Sequence, residues 1–294
     1  MLSSIPSLST VTTFASLLFT LSNLPIPSHA HPSSPSCKAV PGTSDWPSAS
    51  AWDSLNESTG GRLLQPPPPG AVCHPGQPTY DDAKCPAVKS GWSTYEFHSD
   101  DPISSQWNQY NNDSCLPDPS DPCSGEGYPV FVINATTAEH VKLGVDFGAY
   151  PLTLLSFSCL SLSLALSGSG GNVAKRTIRT ARKHNIRLIV KSSGHDYIGR
   201  SSAPNSLSIW VHHLKGIKAH KSFQPKCCDA KIDGPAVTVG GGEQMWDIYT
   251  YLDAINQTAV GGGGKTVSVG GYLSGGGHSL LSARYGLAAD QVQR

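Results

Sequence analysis

Residues 191–202 read KSSGHDYIGRSS. The stretch follows IRLIV (186–190), an apolar β-branched run that predicts a strand, and precedes LSIWV (207–211), which predicts another. By composition alone it is a surface loop with a solvated histidine. Its position suggests more. Small residues directly after a strand let backbone N–H groups approach an anion closely, as a diphosphate requires. His195, between Gly194 and Gly199, thereby becomes a candidate for cofactor chemistry.

A second cluster strengthens that reading. Nine glycines fall within residues 261–277 of GGGGKTVSVGGYLSGGGHS, and such density points to tight turns or to backbone lying against a ligand. A disordered glycine linker is the bland alternative, and the spaced Val267, Val269, Tyr272 and Leu273 argue against it. The run AVGGGGKT (259–266) also fits a relaxed nucleotide P-loop pattern. A P-loop follows a buried strand and opens a helix. Here a helix is expected before it and TVSVGG, read as a β-type run, after it, so the P-loop is set aside.

Outward from these loops, PVFVIN (129–134) and AVTVG (236–240) read as further strands. Thr136 with Glu139 forms a T-x-x-E capping box ahead of the helical stretch AEHVKLGVDF. EQMWDIYTYLDAIN (243–256) places Met245, Ile248, Tyr249, Leu252 and Ile255 on one helical face, with Asn256 at the stop. Mixed strands and helices predict an α+β domain over 126–294.

Residues 148–180, GAYPLTLLSFSCLSLSLALSGSGGNVAKRTIRT, break this texture. A membrane span, a buried insertion and a translated retained intron compete. Serines dilute the apolar run that a span of about 20 residues needs. With 148–180 deleted, the flanks join as AEHVKLGVDFARKHNIRLIV, a helix feeding directly into the strand IRLIV. The intron reading is preferred, and it would remove Cys159.

The amino terminus carries a largely apolar Val11–Leu24 and then Ser28-His29-Ala30, a signal-peptide pattern with cleavage expected after Ala30, although its start lacks Lys and Arg. Residues 31–125 follow as a Cys- and Pro-rich segment, including Pro66 to Pro69. A secreted chain makes its eight cysteines disulfide candidates, and Cys73–Cys85 and Cys115–Cys123 are the expected local bridges. The adjacent Cys227 and Cys228 are not expected to bond to each other. No CxxC pair supports zinc, and no metal is expected. Asn56, Asn112, Asn134 and Asn256 head N-x-S/T sequons. Across all 294 residues the formal charge is zero and only 14% of residues are charged, while Gly numbers 30 and Pro 23. That balance excludes a nucleic-acid-binding field and fits a loop-rich extracellular protein.

VKSSGHDYIGRSS with LSIWVHHLKGI, then TVSVGGYLSGGGHSLLSARYGLAADQV, together resemble the FAD-binding domain of the vanillyl-alcohol oxidase/p-cresol methylhydroxylase (PCMH) type. Within that family the chain is similar to fungal secreted berberine-bridge-enzyme-like oxidases. The resemblance implies two α+β subdomains and an FAD cofactor. It implies that His195 is joined covalently to the 8α-methyl of the flavin, with the diphosphate held by Ser192, Ser193, Gly194, Asp196 and Tyr197 and by Gly199, Arg200, Ser201 and Ser202. Thr266, Gly270, Gly271, Gly275, Gly276, Gly277, His278, Gly286 and Asp290 would complete the site, with packing the simpler role for His278. Gly264 stands where some members place a second, cysteinyl link, so a single tether is expected.

The family continues well past Gln293-Arg294, so the chain is expected to be truncated inside the domain, with the catalytic base and substrate pocket in the missing part. The implied reaction is hydride transfer from an alcohol, amine or saccharide carbon to FAD, reoxidised by dioxygen. Its partners are a small-molecule substrate and dioxygen, with neither nucleic acid nor stable membrane association. An inactive pseudogene product and a membrane-anchored binding protein are the alternatives. A serine hydrolase is disfavoured because no G-x-S-x-G elbow occurs.

Overall fold

Strand β4 (Ser206–Trp210) is buried at all five positions, which marks the centre of the sheet. It pairs in parallel with β2 (Phe131–Asn134) on one side and with β3 (Arg187–Lys191) on the other. A two-residue strand, β1 (Leu63–Leu64), adds antiparallel to β2, giving the order β1-β2-β4-β3. The computed structural model describes residues 37–106, 114–149, 184–224 and 234–293. The signal peptide, Asn112, Cys159, Cys227, Cys228 and the 148–180 segment beyond Ala149 lie outside the described residues.

Each face of this sheet is covered by a different part of the chain. On one face, Ile133, Leu207 and Ile209 pack with Trp52 and Leu55 of helix α1 (Ala49–Ser58) and Phe147 of α4 (Ala138–Gly148). Trp52 stacks on Phe131 with ring centroids 4.1 Å apart. Helix α4 sits close to the strands: a Cβ on Gly144 would lie 2.8 Å from Ile133 Cδ1. Period-two alternation sends Val132 and Trp210 to the opposite face. There they meet Ala71, Ile103, Cys115 and Tyr128. The Cys- and Pro-rich stretch therefore supplies core to the same sheet as the residues after it, and Lys38–Arg294 form one compact unit. It contributes α1, a 3₁₀ turn (Pro69–Cys73), α2 (Cys85–Gly91) and α3 (Tyr95–Asp100). Both expected bridges, Cys73–Cys85 and Cys115–Cys123, are present.

A smaller layer follows. Strands β5 (Ile217–His220) and β6 (Ala236–Val239) form an antiparallel pair. Helix α5 (Met245–Asp253) buries Met245, Ile248 and Leu252 against Ile217, Val237 and Val239. Ile255 does not share that face, being 42% exposed beyond the helix end. Asn256 at φ 53° takes the left-handed conformation expected of a stop.

Two local expectations are corrected. The cap of α4 is Thr137, whose Oγ1 accepts from His140 N, and the Thr136 amide donates to His140 Nδ1. The capping pattern is shifted by one residue, with His140 in the role assigned to Glu139. TVSVGG is not a strand: after an isolated Gln244–Ser268 bridge it enters helix α6 (Val269–Ser274). Its two glycines give no side chains to a sheet, while the Val269 and Gly270 amides bond to the carbonyls of Glu243 and Gly241. A helix thus does follow the P-loop-like run. What separates that run from a P-loop is the absence of a preceding strand, since α5 comes before it.

Candidate functional site

Residues 192–205 connect β3 to β4, its parallel neighbour, and carry His195. Gly194, at φ 80°, turns the chain directly after Ser193. Two further turns follow, the Gly199 amide donating to Asp196 O and the Ser202 amide to Gly199 O. The Asp196 carboxylate accepts from the Arg200 amide at 2.7 Å and pairs with its guanidinium, which holds the Asp196 pKa below its ordinary value. Asp196 and Arg200 thereby brace the outer part of the loop, and Tyr197 beside them is 70% exposed.

The second glycine segment meets this loop at two points. His195 Nε2 lies 2.7 Å from the Thr266 hydroxyl, 71 residues away in sequence. The Ser268 amide donates to Ser193 Oγ at 3.2 Å. A third wall comes from α3 and the chain after it. The Tyr95 ring lies 5.3 Å from the His195 imidazole. The Gln106 amide donates to Gly194 O, and its side chain donates to Tyr95 O and Ser193 O. Glu96 pairs with Lys265 beside Thr266. Sequence reasoning missed Tyr95, Gln106 and Ser268 as site neighbours. Tyr95 and Gln106 lie in a segment without motif character, about 90 residues before the loop they support.

Burial, with a smaller contribution from the Lys191 ammonium and His98, pushes the His195 pKa down from its ordinary 6.5 to about 4. The imidazole is therefore neutral at physiological pH. In the same loop Ser192 Oγ and Ser202 Oγ, and in the second glycine segment Ser268 Oγ, are buried without a hydrogen-bond partner. Buried hydroxyls are costly when unpaired. A ligand rich in phosphate oxygens and hydroxyls would satisfy hydroxyls of this kind.

Other proposed residues are not gathered at His195. A Cβ on Gly270 would lie 2.8 Å from Gly241 O, which makes this glycine a packing requirement. Gly271 faces open space. Gly275, Gly276 and Gly277 belong to the α6 end, where the Gly276 and Gly277 carbonyls bond to the Ala289 and Ala288 amides. Asp290 accepts from the Leu287 amide and closes a 3₁₀ turn (Ala288–Gln291) after Gly286. His278 is exposed, and its carbonyl accepts from Tyr272 OH. Ser201 is buried in the loop. Among the described residues, His74, Cys115 and Cys123 form a group with metal-ligand spacing, but the two sulfurs are joined to each other.

Residues 172–294 match the family model described as "FAD binding domain". The chain is 35% identical to the VAO-type flavoprotein oxidase VAO615 of Thermothelomyces thermophilus, over 89% of this chain and 40% of that protein. The chain is thus similar to VAO-type FAD-linked oxidoreductases, and its residues 172–294 carry an FAD-binding domain.

FAD is accordingly the cofactor of this domain, and the buried serine hydroxyls and small-residue loop fit it. The FAD-linked oxidoreductase patO of Aspergillus clavatus is 34% identical over 87% of this chain and 38% of its own length. Among solved structures, the VAO-type flavoprotein MtVAO713 of Myceliophthora thermophila C1 matches with a TM-score of 0.68 and 30% identity, covering 88% of this chain and 41% of that one. MtVAO615 of the same organism gives a TM-score of 0.67 at 33% identity, covering 87% of this chain and 41% of that one. The chain spans about two fifths of the length of the curated relatives it matches. Among its described residues, no helix is long and apolar enough to cross a membrane.

Proposed function

We propose that the full-length protein is a secreted, glycosylated oxidase that carries FAD covalently on His195 and oxidises an alcohol, amine or saccharide carbon. The supporting observation is the neutral, largely buried His195 imidazole, held between Thr266 and Tyr95 in a loop with unpaired buried hydroxyls. When bound, FAD supplies the two-electron chemistry, accepting hydride from the substrate and returning electrons to dioxygen. The protein's contribution is orientation and electrostatics. Ser192, Ser202 and Ser268 offer hydroxyls to phosphate and ribityl oxygens, while the Thr266 contact fixes the plane of the imidazole. Neutral His195 offers the nucleophilic nitrogen that a link to the 8α-methyl needs. Gly264, in place of a cysteine, leaves His195 as the single tether.

The test is denaturing gel electrophoresis of the full-length protein with in-gel flavin fluorescence. A fluorescent band is expected for the wild type and none for His195→Ala. A band of equal intensity in the variant would place the tether elsewhere, and no flavin of any kind in the wild type would favour an inactive product.

A further inference from the structure

Lys191 is the largest fully buried side chain of the protein's described residues, with a relative exposure of 0%. It is the last residue of β3, four positions before His195. Its side chain leaves the sheet and its ammonium donates to three main-chain carbonyls of one distant segment: Asp101 O at 2.8 Å, His98 O at 3.0 Å and Ser99 O at 3.5 Å. These carbonyls lie at the carboxy-terminal end of α3, where the helix dipole favours a cation. The Trp210 ring, 5.6 Å away, covers the same ammonium.

The segment fastened in this way supports the attachment loop. Tyr95, at the start of α3, lies against His195. Beyond Asp101, whose carboxylate accepts from the Ile103 and Ser104 amides, the chain runs through Ser105 to Gln106, which bonds to Ser193 O and Gly194 O. A Cβ on Gly194 would lie 3.4 Å from Lys191 Cε, so loop, lysine and segment are in mutual van der Waals range.

We infer that Lys191 is a positioning residue of the flavin-attachment site, pinning segment 95–106 against Ser193–His195 and thereby setting the pose of the His195 imidazole. The inference rests on His195 as the attachment residue for its consequence, but the pinning itself is independent of that reading. The groups that bear on His195 electrostatically are Lys191 and His98, and those that bear on Lys191 are Asp101 and Asp100. Burial brings the lysine pKa down to about 8, with the two aspartates opposing that shift.

The test uses full-length protein produced without flavin and then supplied with FAD. Lys191→Met is expected to slow covalent incorporation by about tenfold or more. Loss of the ammonium is also expected to raise the pH below which incorporation falls, because one neighbour that disfavours the imidazolium has gone. Lys191→Arg, which keeps the charge, is expected to retain the wild-type pH midpoint. A Lys191→Met protein that unfolds cooperatively and matches the wild type in both rate and pH midpoint overturns the inference.

A second measurement needs no variant. In wild-type protein the protection of the Gln106 amide against hydrogen exchange, corrected for intrinsic rate, is expected to fall as pH rises through about 8. Constant protection across that range overturns the pinning role. If the wild type takes up no covalent flavin, the attachment reading of His195 fails, while Gln106 exchange and NMR titration of the His195 ring in Lys191→Met still decide the role of Lys191.

Discussion

Gly194→Ala is the substitution for which the structure supplies the fullest account. Gly194 has φ 80°, where an L side chain costs about 1–2 kcal/mol. The added Cβ would lie 3.1 Å from Ser105 Cα and 3.3 Å from Ser104 O, both on backbone that cannot swing aside. Forcing such contact costs about a further 1–3 kcal/mol. The two effects separate cleanly in this molecule, because Gly42 has φ 85° but nothing within 4 Å of its Cβ position. Gly42→Ala therefore reports the conformational cost alone, about 1–2 kcal/mol, and Gly194→Ala about 2–5 kcal/mol. Urea unfolding of the two variants gives the comparison, and covalent flavin content gives a second readout, expected to fall only at Gly194. Equal destabilisation by the two substitutions would refute the claim that segment 104–106 is packed tightly against the attachment loop.

His195 and His212 are both held down to about 4, chiefly by burial, so the unfolded chain binds protons between about pH 6.5 and 4 that the folded chain does not. The stability each gives is complete above pH 6.5 and is lost as pH falls through that window; discounted for solvent access, His195 contributes about 1–2 kcal/mol. Urea titrations at pH 7 and 4.5 should therefore show a smaller pH dependence for His195→Gln than for wild type, and parallel curves would contradict the shift. Thr266→Val leaves His195 Nε2 without its hydroxyl partner and is expected to cost about 1–3 kcal/mol and reduce flavin attachment, with normal stability and attachment as the contrary result. Replacing Cys115 and Cys123 together by Ser opens a short loop, and thermal unfolding should register a loss of about 2–3 kcal/mol. Of the described sequons, Asn256 is exposed in a turn whereas Asn134 lies in β2 and accepts from His213 Nδ1. Glycopeptide mass spectrometry is expected to find occupancy at Asn256, and a glycan on Asn134 would contradict that ranking.

The parts of this protein that were legible in its sequence are those with short-range physical causes. IRLIV, LSIWV and AVTVG are strands because β-branched and aromatic runs bounded by small residues suit a pleated surface, and each is found within a residue of its expected place. His195 reads by composition as a solvated loop histidine, and only its place directly after a strand, with the second glycine cluster, makes it a candidate. TVSVGG shows the reverse case: its alternation matches a strand, but carbonyls from the Gly241–Glu243 turn take up the amides at the start of a helix instead. The α4 cap moved from Thr136 to Thr137 because His140 serves in the reciprocal position, a role that a motif written for Glu or Gln does not register. The support of the site by α3 was not legible at all. Tyr95, Gln106 and the partners of Lys191 are ordinary loop and helix residues in sequence, and only the fold brings them to the His195 loop and to Lys191.

Residues 192–205 are also the connection between two parallel neighbouring strands. Such a link must carry the chain back along the full length of the strand it has just left, and about a dozen residues is the least that does so. The segment that presents His195 is therefore close to the minimum its topology allows. Point substitutions there can change the proposed flavin attachment and leave the sheet intact, but a deletion of several residues would pull β3 and β4 out of register. Loop length and loop chemistry are thus under separate constraints: a form of this protein that lost His195 would be expected to retain a loop of nearly the same length.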